Sequence, residues 1–386
     1  MSSVTDAILE KLNSLIVVVN NSGKVEYVSP SVKRILGFEP GQLMGEGWWE
    51  LTRADEEERA DIKALAFRQL KQDSLLEALP YERRLKTAAG GERWILWNTS
   101  KGPGNTLVGI GHDITDRKKA EQRLLEKHQE LEQHNKDMLD SIKYASRIQE
   151  AILPDVDKIK AAFSDAFVLY LPKDVVSGDH YFYYRKENKV FVAVVDCTGH
   201  GVPGSLMSVI ANGILREVII KKGLEEPSEI LYALDEELGI ALNSRNGEAA
   251  ANDGMDIALA VFDRERNAMT YAGAFRPMLL ARNGEFIEFE GNRFPIGFYG
   301  DVRKEFSSQT IELEPGDTFY LFTDGYCDQF GGEQKKKFNR KRFKELLLSA
   351  QSMEMDEQES FFAYALKNWR QEEEQVDDVC IMGVRI

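Results

Sequence analysis

Between Asp116 and Leu153 the chain is charged, rich in helix formers and nearly free of Gly and Pro, and Pro154 ends the run. Leu124, Leu131, Met138, Ala145 and Ile152 recur every seven residues, and His128, Asn135 and Ile142 follow four later on the neighbouring seam. That is a heptad signature, the mark of a helix that pairs along one stripe. Such a rod cannot lie inside a core, so it divides the 386 residues into a body before it and a body after it. We therefore expect three segments: a first domain at 1–118, a helical coiled-coil linker at 119–153, and a second domain at 154–386. A polar Asn135 in the seam is a device that fixes register in a parallel homodimer. The alternative is a single amphipathic helix packed on the first domain.

The flanking segments have the composition of soluble globular domains, with 43% hydrophobic and 29% charged residues. A net charge of -15 argues against a nucleic-acid binder, because that affinity rests on clustered Lys and Arg. No apolar run approaches the ~20 residues of a membrane span, and the N-terminus lacks the basic start of a signal peptide. A cytoplasmic protein without membrane partners is expected. Cys197, Cys327 and Cys380 share no CxxC spacing, so neither a disulfide framework nor a zinc site is indicated.

Before the rod, β-like runs (LIVVVN, KVEYVS, YERRLKTA, ERWILWNTS, TLVGIGHDIT) surround a helical middle, and Asn21, Ser22 and Gly23 supply a turn. The pattern, closing in GHDITDRKKAE, resembles a PAS sensor domain over about residues 8 to 118. Such a domain offers an apolar pocket. There is no Cys before Cys197 for a flavin adduct and no His before His112 for haem, so the sensor ligand stays open. Trp48, Trp49, Trp94 and Trp97 either line a ligand site or pack core and interface.

After Pro154 the chain is rich in strands (FVLYLP, KVFVAVVDCTG, DIALAVFD, MTYAGA, PMLLARNG, EFIEFE, DTFYLFTDG, VCIMGVRI), interrupted by two helices. One shows Leu206, Ile210, Ile214 and Val218 four apart, the other Leu231, Leu234, Leu238 and Leu242. With a last helix around Glu359 to Arg370, stacked sheets covered by helices are expected. Acidic residues stand at the ends of apolar strands: Asp179 in VSGDHYF, Asp196 in VAVVDCTGHG, Asp324 in YLFTDGY, and Asp377 with Asp378 in QVDDVCIM. Carboxylates gathered this way are costly unless cations neutralise them, and hard oxygen ligands select Mg or Mn over Zn.

The ordered set GD, DxxGHG, TDG and DD resembles the PPM metal-dependent phosphatases, specifically their SpoIIE-like branch. Further matches are DGMD at Asp253 to Asp256, YAGAFRP at Tyr271 to Pro277 and FPIG at Phe294 to Gly297. The resemblance implies an α+β chain whose C-terminal half is an αββα sandwich, hydrolysing phosphoserine or phosphothreonine with two divalent cations, Mn2+ or Mg2+. It assigns Asp179 and Asp196 as catalytic metal ligands with the backbone carbonyl of Cys197, and Asp324 and Asp377 to the second cation. Asp378 is read as an outer or solvent-facing residue, and Asp253 or Asp256 as helpers of a further metal. His200 is either a general acid or a residue that caps or orients the glycine turn. His180 replaces the branch's usual aromatic residue at the edge of the site. Lys173 either contacts substrate phosphate or is a surface lysine. The basic run Lys335 to Arg342 is either a solvated helix start or a steering patch. The implied partner is a phosphorylated anti-sigma-factor antagonist of the STAS fold. The main rival is a pseudophosphatase that binds without hydrolysis. A histidine kinase lacks its phosphoacceptor run and ATP lid here.

Overall fold

The computed structural model describes residues 11, 14–53, 55–71, 79–242, 253–297 and 303–386. The first ten residues of the expected sensor segment lie outside them. The chain forms two compact units, 1–135 and 136–386, which meet within one helix, Thr115–Ile152.

The first unit is a five-stranded antiparallel sheet built from β1 (Ser14–Val19), β2 (Val25–Val28), β3 (Tyr81–Lys86), β4 (Glu92–Gly102) and β5 (Thr106–Asp113), in the order β2-β1-β5-β4-β3. Alternation along β1 turns Leu15, Val17 and Val19 inward, against helices Ser31–Leu36, Gly47–Leu51 and Glu56–Lys71. The Asn20 side-chain oxygen accepts from the N–H groups of Ser22 and Lys24, closing the β1–β2 turn. Trp48 and Trp97 meet edge to face at 5.8 Å, and Trp49 lies buried beside them. Trp94 instead lies under Lys118 and Arg84. The Asp-Ile-Thr end of the unit has a mechanical role. Asp113 accepts from the Thr115 N–H at 2.9 Å, and Thr115 Oγ1 accepts from Trp94 N–H at 2.9 Å, tying the last strand to the first residue of the long helix.

The second unit stacks two sheets. One, in the order β14-β10-β9-β8-β7, contains β7 (Asp179–Lys186), β8 (Lys189–Cys197), β9 (Gly254–Asp263), β10 (Ala268–Ala274) and β14 (Gln309–Glu312), with β13 (Ile296–Gly297) paired to β9. The other, in the order β12-β11-β15-β18-β6, contains β6 (Asp165–Leu171), β11 (Met278–Arg282), β12 (Glu285–Phe289), β15 (Thr318–Phe322) and β18 (Val379–Arg385). A small ribbon, β16 (Phe330–Gly331) and β17 (Lys336–Lys337), lies apart. Three apolar layers result. Val192, Val194, Met269, Leu280, Leu321 and Met382 fill the space between the sheets. Helices Gly201–Arg216 and Pro227–Leu242 cover the first sheet. Helices Asn339–Ser349 and Met355–Arg370 cover the second. The chain is thus an α+β protein with a PAS-like unit, a long helix and a C-terminal αββα sandwich.

Two expectations are corrected. The buried face of the Gly201 helix is not the row Leu206, Ile210 and Ile214: Leu206 is 62% exposed, while Met207, Ala211 and Leu215 are buried, and of the expected four only Val218 is fully buried. Polar side chains mislead the periodicity, because Ser205, Ser208 and Asn212 share the buried side, where Ser208 Oγ donates to the Ser205 carbonyl. This helix with its continuation to Lys221 is also long and apolar enough, by length and composition, to cross a membrane; half of that stretch is buried in the unit, as in a core helix. The sequence run therefore understated its apolar length. The Leu231, Leu234 and Leu238 face is fully buried as expected.

Candidate active site

Strand register builds the site. Asp179 on β7 pairs with Asp196 on β8, and Asp196 pairs with Asp256 on β9, so three carboxylates stand in one row across the sheet. Their neighbours of like parity, Tyr181 and Val194, face the second sheet, and so does the row. Asp179 and Asp377 precede strands β7 and β18 or begin them, whereas Asp196 and Asp324 lie at or beyond the ends of β8 and β15. Antiparallel pairing of β7 with β8 and of β15 with β18 brings starts and ends to the same edge. Asp179 is therefore a strand-starting residue, not the end of an apolar strand as expected.

The second sheet reaches across. Thr323 Oγ1 donates to Asp179 Oδ2 at 2.7 Å, and the Cys380 N–H donates to Thr323 Oγ1 at 2.9 Å. Asp378 is buried and accepts from the N–H groups of Lys173 and Gly178, both at 2.7 Å, which overturns its solvent-facing alternative. Asp377 accepts from the Asp378 N–H at 2.8 Å. Close backbone packing joins these loops: a Cβ on Gly325 would stand 1.9 Å from the Asp378 carbonyl, and one on Gly178 would stand 2.4 Å from the Gly199 carbonyl.

Arg276 is the residue that the sequence reading missed. It follows Phe275, whose φ of 57° and parallel bridge to Ile257 turn the chain after β10 toward the acid row. Its guanidinium lies 2.6 Å from Asp196, 2.9 Å from Asp256 and 2.8 Å from Asp324. Tyr271 Oη donates to the Arg276 carbonyl and fixes the turn from behind. The available signal was a lone arginine in YAGAFRP between an apolar strand and Pro277.

One guanidinium does not balance these acids. Burial raises the Asp179 carboxyl well above the carboxylate range, and Asp196 adds to it; Thr323 opposes. Burial pushes Asp196 up to about 7 against the pull of Arg276, and Asp256 up to about 6 in the same way. Asp377 is also raised by burial. Among the described residues no three acids, imidazoles or thiols converge into a ready metal-binding group. The donor chemistry nevertheless fits hard divalent cations: only carboxylate oxygens and carbonyls are gathered, and their raised acidities mark uncompensated negative charge.

The remaining candidates separate. Cys197 has its thiol in the layer under the helices, and its main chain runs beside Gly178, whose added Cβ would lie 3.1 Å from the Cys197 carbonyl. Asp253 lies before β9 and stays outside the Arg276 cluster that Asp256 joins. His200 occupies the N-cap position of the Gly201 helix without a side-chain cap bond; it stands half-exposed with Nδ1 at 3.0 Å from Asp174 and Nε2 at 3.0 Å from Lys173 Nζ. His180 is fully buried on the opposite face of β7 from Asp179, and burial holds it down to about 3, a neutral packing residue away from the edge of the acid row. The basic run is mostly consumed internally: Lys335 pairs with Glu373, Lys337 with Asp328 and Arg340 with Glu288, and Arg342 stacks on Trp369 at 4.7 Å. Cys197, Cys327 and Cys380 are free buried thiols.

Gln149, in the last turn of the long helix, is buried against this site. Its Nε2 donates to the Ser177 carbonyl at 2.6 Å and to Ser208 Oγ at 2.7 Å, and its Oε1 accepts from the Ser177 N–H at 3.0 Å. Ser177 Oγ in turn accepts from the Asp179 N–H at 3.0 Å.

A two-sheet sandwich flanked by helices, with an acid row at one edge, defines the class of PP2C-type folds. The family model of stage II sporulation protein E matches residues 186–386, just over half of the chain, and a PAS domain model matches 13–116. The chain belongs to the SpoIIE family. It is similar to the SiaA-PP2C domain of Pseudomonas aeruginosa, at 36% identity and a TM-score of 0.59, covering 66% of this chain and 98% of that one. It is also 24% identical over 209 residues to the phosphoserine phosphatase RsbU of Bacillus subtilis (strain 168), covering 53% of this chain and 58% of RsbU. The chain thus spans little more than half the length of that curated relative.

Proposed function

We propose that residues 154–386 hydrolyse phosphoserine or phosphothreonine on a partner protein with the help of two divalent cations, and that residues 1–118 control this through the helix at 119–153. The observation that carries the reading is the row Asp179, Asp196 and Asp256, faced by Asp324 and Asp377 from the second sheet and short of positive charge. Asp179, Asp196, the Cys197 carbonyl, Asp324 and Asp377 would hold the cations, Mn2+ or Mg2+. When bound, such cations acidify a water and neutralise charge developing on phosphoryl oxygens. Thr323 orients Asp179, Asp378 fixes the Lys173 and Gly178 main chain, and Arg276 supplies fixed positive charge beside the row. Lys173 and His200 form a half-exposed rim pair in reach of a phosphoryl group. The likeness to a phosphoserine phosphatase supports the phosphoserine class, and the motif resemblance to the SpoIIE-like branch makes the proposed substrate a phosphorylated anti-sigma-factor antagonist of the STAS type.

Arg276 also gives the pseudophosphatase reading its one supporting observation, since it already engages three of the acids. Hydrolysis of a phosphoserine protein separates the two. Turnover with Mn2+ or Mg2+ that stops in chelator is the expected result; no turnover with any divalent ion, although the phosphoprotein binds, would establish the binding module.

Pairing of two copies through the long helix is the second part of the proposal. Leu124, Leu131 and Met138 are 73%, 59% and 63% exposed, and Asn135 stands exposed between them. A second helix with the same heptad would cover that stripe. Light scattering at micromolar concentration should give the dimer mass, and Leu131→Glu the monomer mass. Monomer for the wild type would remove both the pairing and the register role of Asn135.

A further inference from the structure

The sensor unit contains a partly open cavity of about 50 Å3, with Val17, Ile62 and Leu107 on its apolar side and Arg53, Trp97 and Thr99 on its polar side. Arg53 is 5% exposed, yet among the described residues its Nε and Nη1 have no hydrogen-bond partner. Trp97 Nε1 and Thr99 Oγ1 are likewise buried and unpartnered. Buried polar groups in folded proteins are nearly always satisfied, so four orphaned groups around one cavity point to something that fills it. All four can donate, and three can do nothing else. What they lack is an acceptor.

The electrostatics select its charge. Burial lowers the Arg53 guanidinium to about 10; Glu58 and then Tyr81 oppose it, and Arg83, which lines the same cavity, adds a smaller like charge. An anion offsets the burial of this cation more fully than a neutral acceptor does. A guanidinium presenting Nε and one Nη matches the two oxygens of a carboxylate. The apolar wall requires a hydrocarbon body, which excludes inorganic phosphate or sulfate as the fitting ligand. At roughly 10–15 Å3 per water, the volume suits a few heavy atoms only.

We infer that this cavity is a binding site for a short-chain organic carboxylate, its head on Arg53 beside Trp97 and Thr99 and its chain against Val17, Ile62 and Leu107. The site is independent of the phosphatase reading and stands or falls without it.

The test uses the full-length protein, titrated calorimetrically with butyrate, butyramide, n-butanol and inorganic phosphate, with thermal melts in parallel. Butyrate should bind saturably at millimolar concentration and raise the first melting step, and the amide and alcohol should do neither. Arg53→Gln, folded by circular dichroism, should weaken butyrate by about tenfold or more, as loss of a charge-assisted pair requires. Should Arg53→Gln fail to fold, Thr99→Val, which removes one donor, should weaken butyrate several-fold. No saturable binding of butyrate, which leaves only water in the cavity, would overturn the assignment. So would equal binding of butyramide or phosphate, or undiminished binding by whichever folded variant is measured.

Discussion

Asp196→Asn is expected to lower turnover of a phosphoserine protein by at least about a hundredfold, more than the loss of an outer-sphere metal partner brings, while the second unit stays folded. Asp196 is the middle member of the acid row, paired with Asp179 on one side and Asp256 on the other, and an amide cannot replace its charge. The same substitution has a readout that needs no substrate. Asp196 and Asp256 rise to about 7 and about 6 from an ordinary value near 4, so the folded, cation-free protein binds their protons more tightly than the unfolded chain. That stabilisation is complete below about pH 4 and is lost as pH rises through about 7. In chelator, the melting point of the second unit should therefore fall between pH 5 and 8, and Mn2+ should restore it at pH 8. In Asp196→Asn the fall should be shallower. Near-normal turnover by the folded variant would end the two-cation assignment, and a melting point independent of pH would end the account of the charge.

The second large effect is expected at Gln149. Alanine there leaves the Ser177 N–H and carbonyl without partners in a buried setting, at about 1–3 kcal/mol for each unsatisfied group, and removes the donor to Ser208 Oγ, which keeps its bond to the Ser205 carbonyl. Because Ser177 Oγ holds the Asp179 N–H, activity should drop about tenfold or more, beyond the loss of stability. The variant should also uncouple the halves. In the wild-type background, inserting seven residues between Leu131 and Met138 keeps the seam in phase, whereas inserting two turns everything downstream by ~200°. Output should differ between these two insertions, and the difference should vanish in the Gln149→Ala background. Equal activity of both insertions in the wild-type background, at the wild-type level, would reduce the helix to a tether.

The long helix was legible almost to the residue, expected from Asp116 to Leu153 and found as Thr115–Ile152, because heptad spacing and Pro154 are local signals. The sandwich was legible from its apolar strands. β7 escaped, as did the short strands β13, β14, β16 and β17: β7, DHYFYYRK, carries polar and aromatic residues in place of a clean apolar run, so Asp179 was read at the end of a strand and not at its start. The Gly201 helix was read one side off because its buried side carries Ser205 and Ser208, which hydrogen-bond locally, and Asn212, all of which register as polar. For the site, the sequence supplied the acids but not their register. That Asp256 and not Asp253 joins Asp196 depends on cross-strand pairing between β8 and β9, which residues 198–253 separate along the chain. Arg276 was invisible for the same reason, since its three partners lie 80, 20 and 48 positions away along the chain.

The bare stripe on the long helix has a consequence for abundance. The proposed pairing through it is bimolecular, so the fraction of molecules paired would follow total concentration, steeply near the dissociation constant and weakly far above it. Leu131 and Met138 would then make expression level itself an input, read by the same helix that is joined to the sensor strand at Asp113 and packed on the catalytic unit at Gln149. A cell that dilutes this protein by growth would change its output without any ligand, and a separately expressed copy of the helix alone would act as a dominant inhibitor.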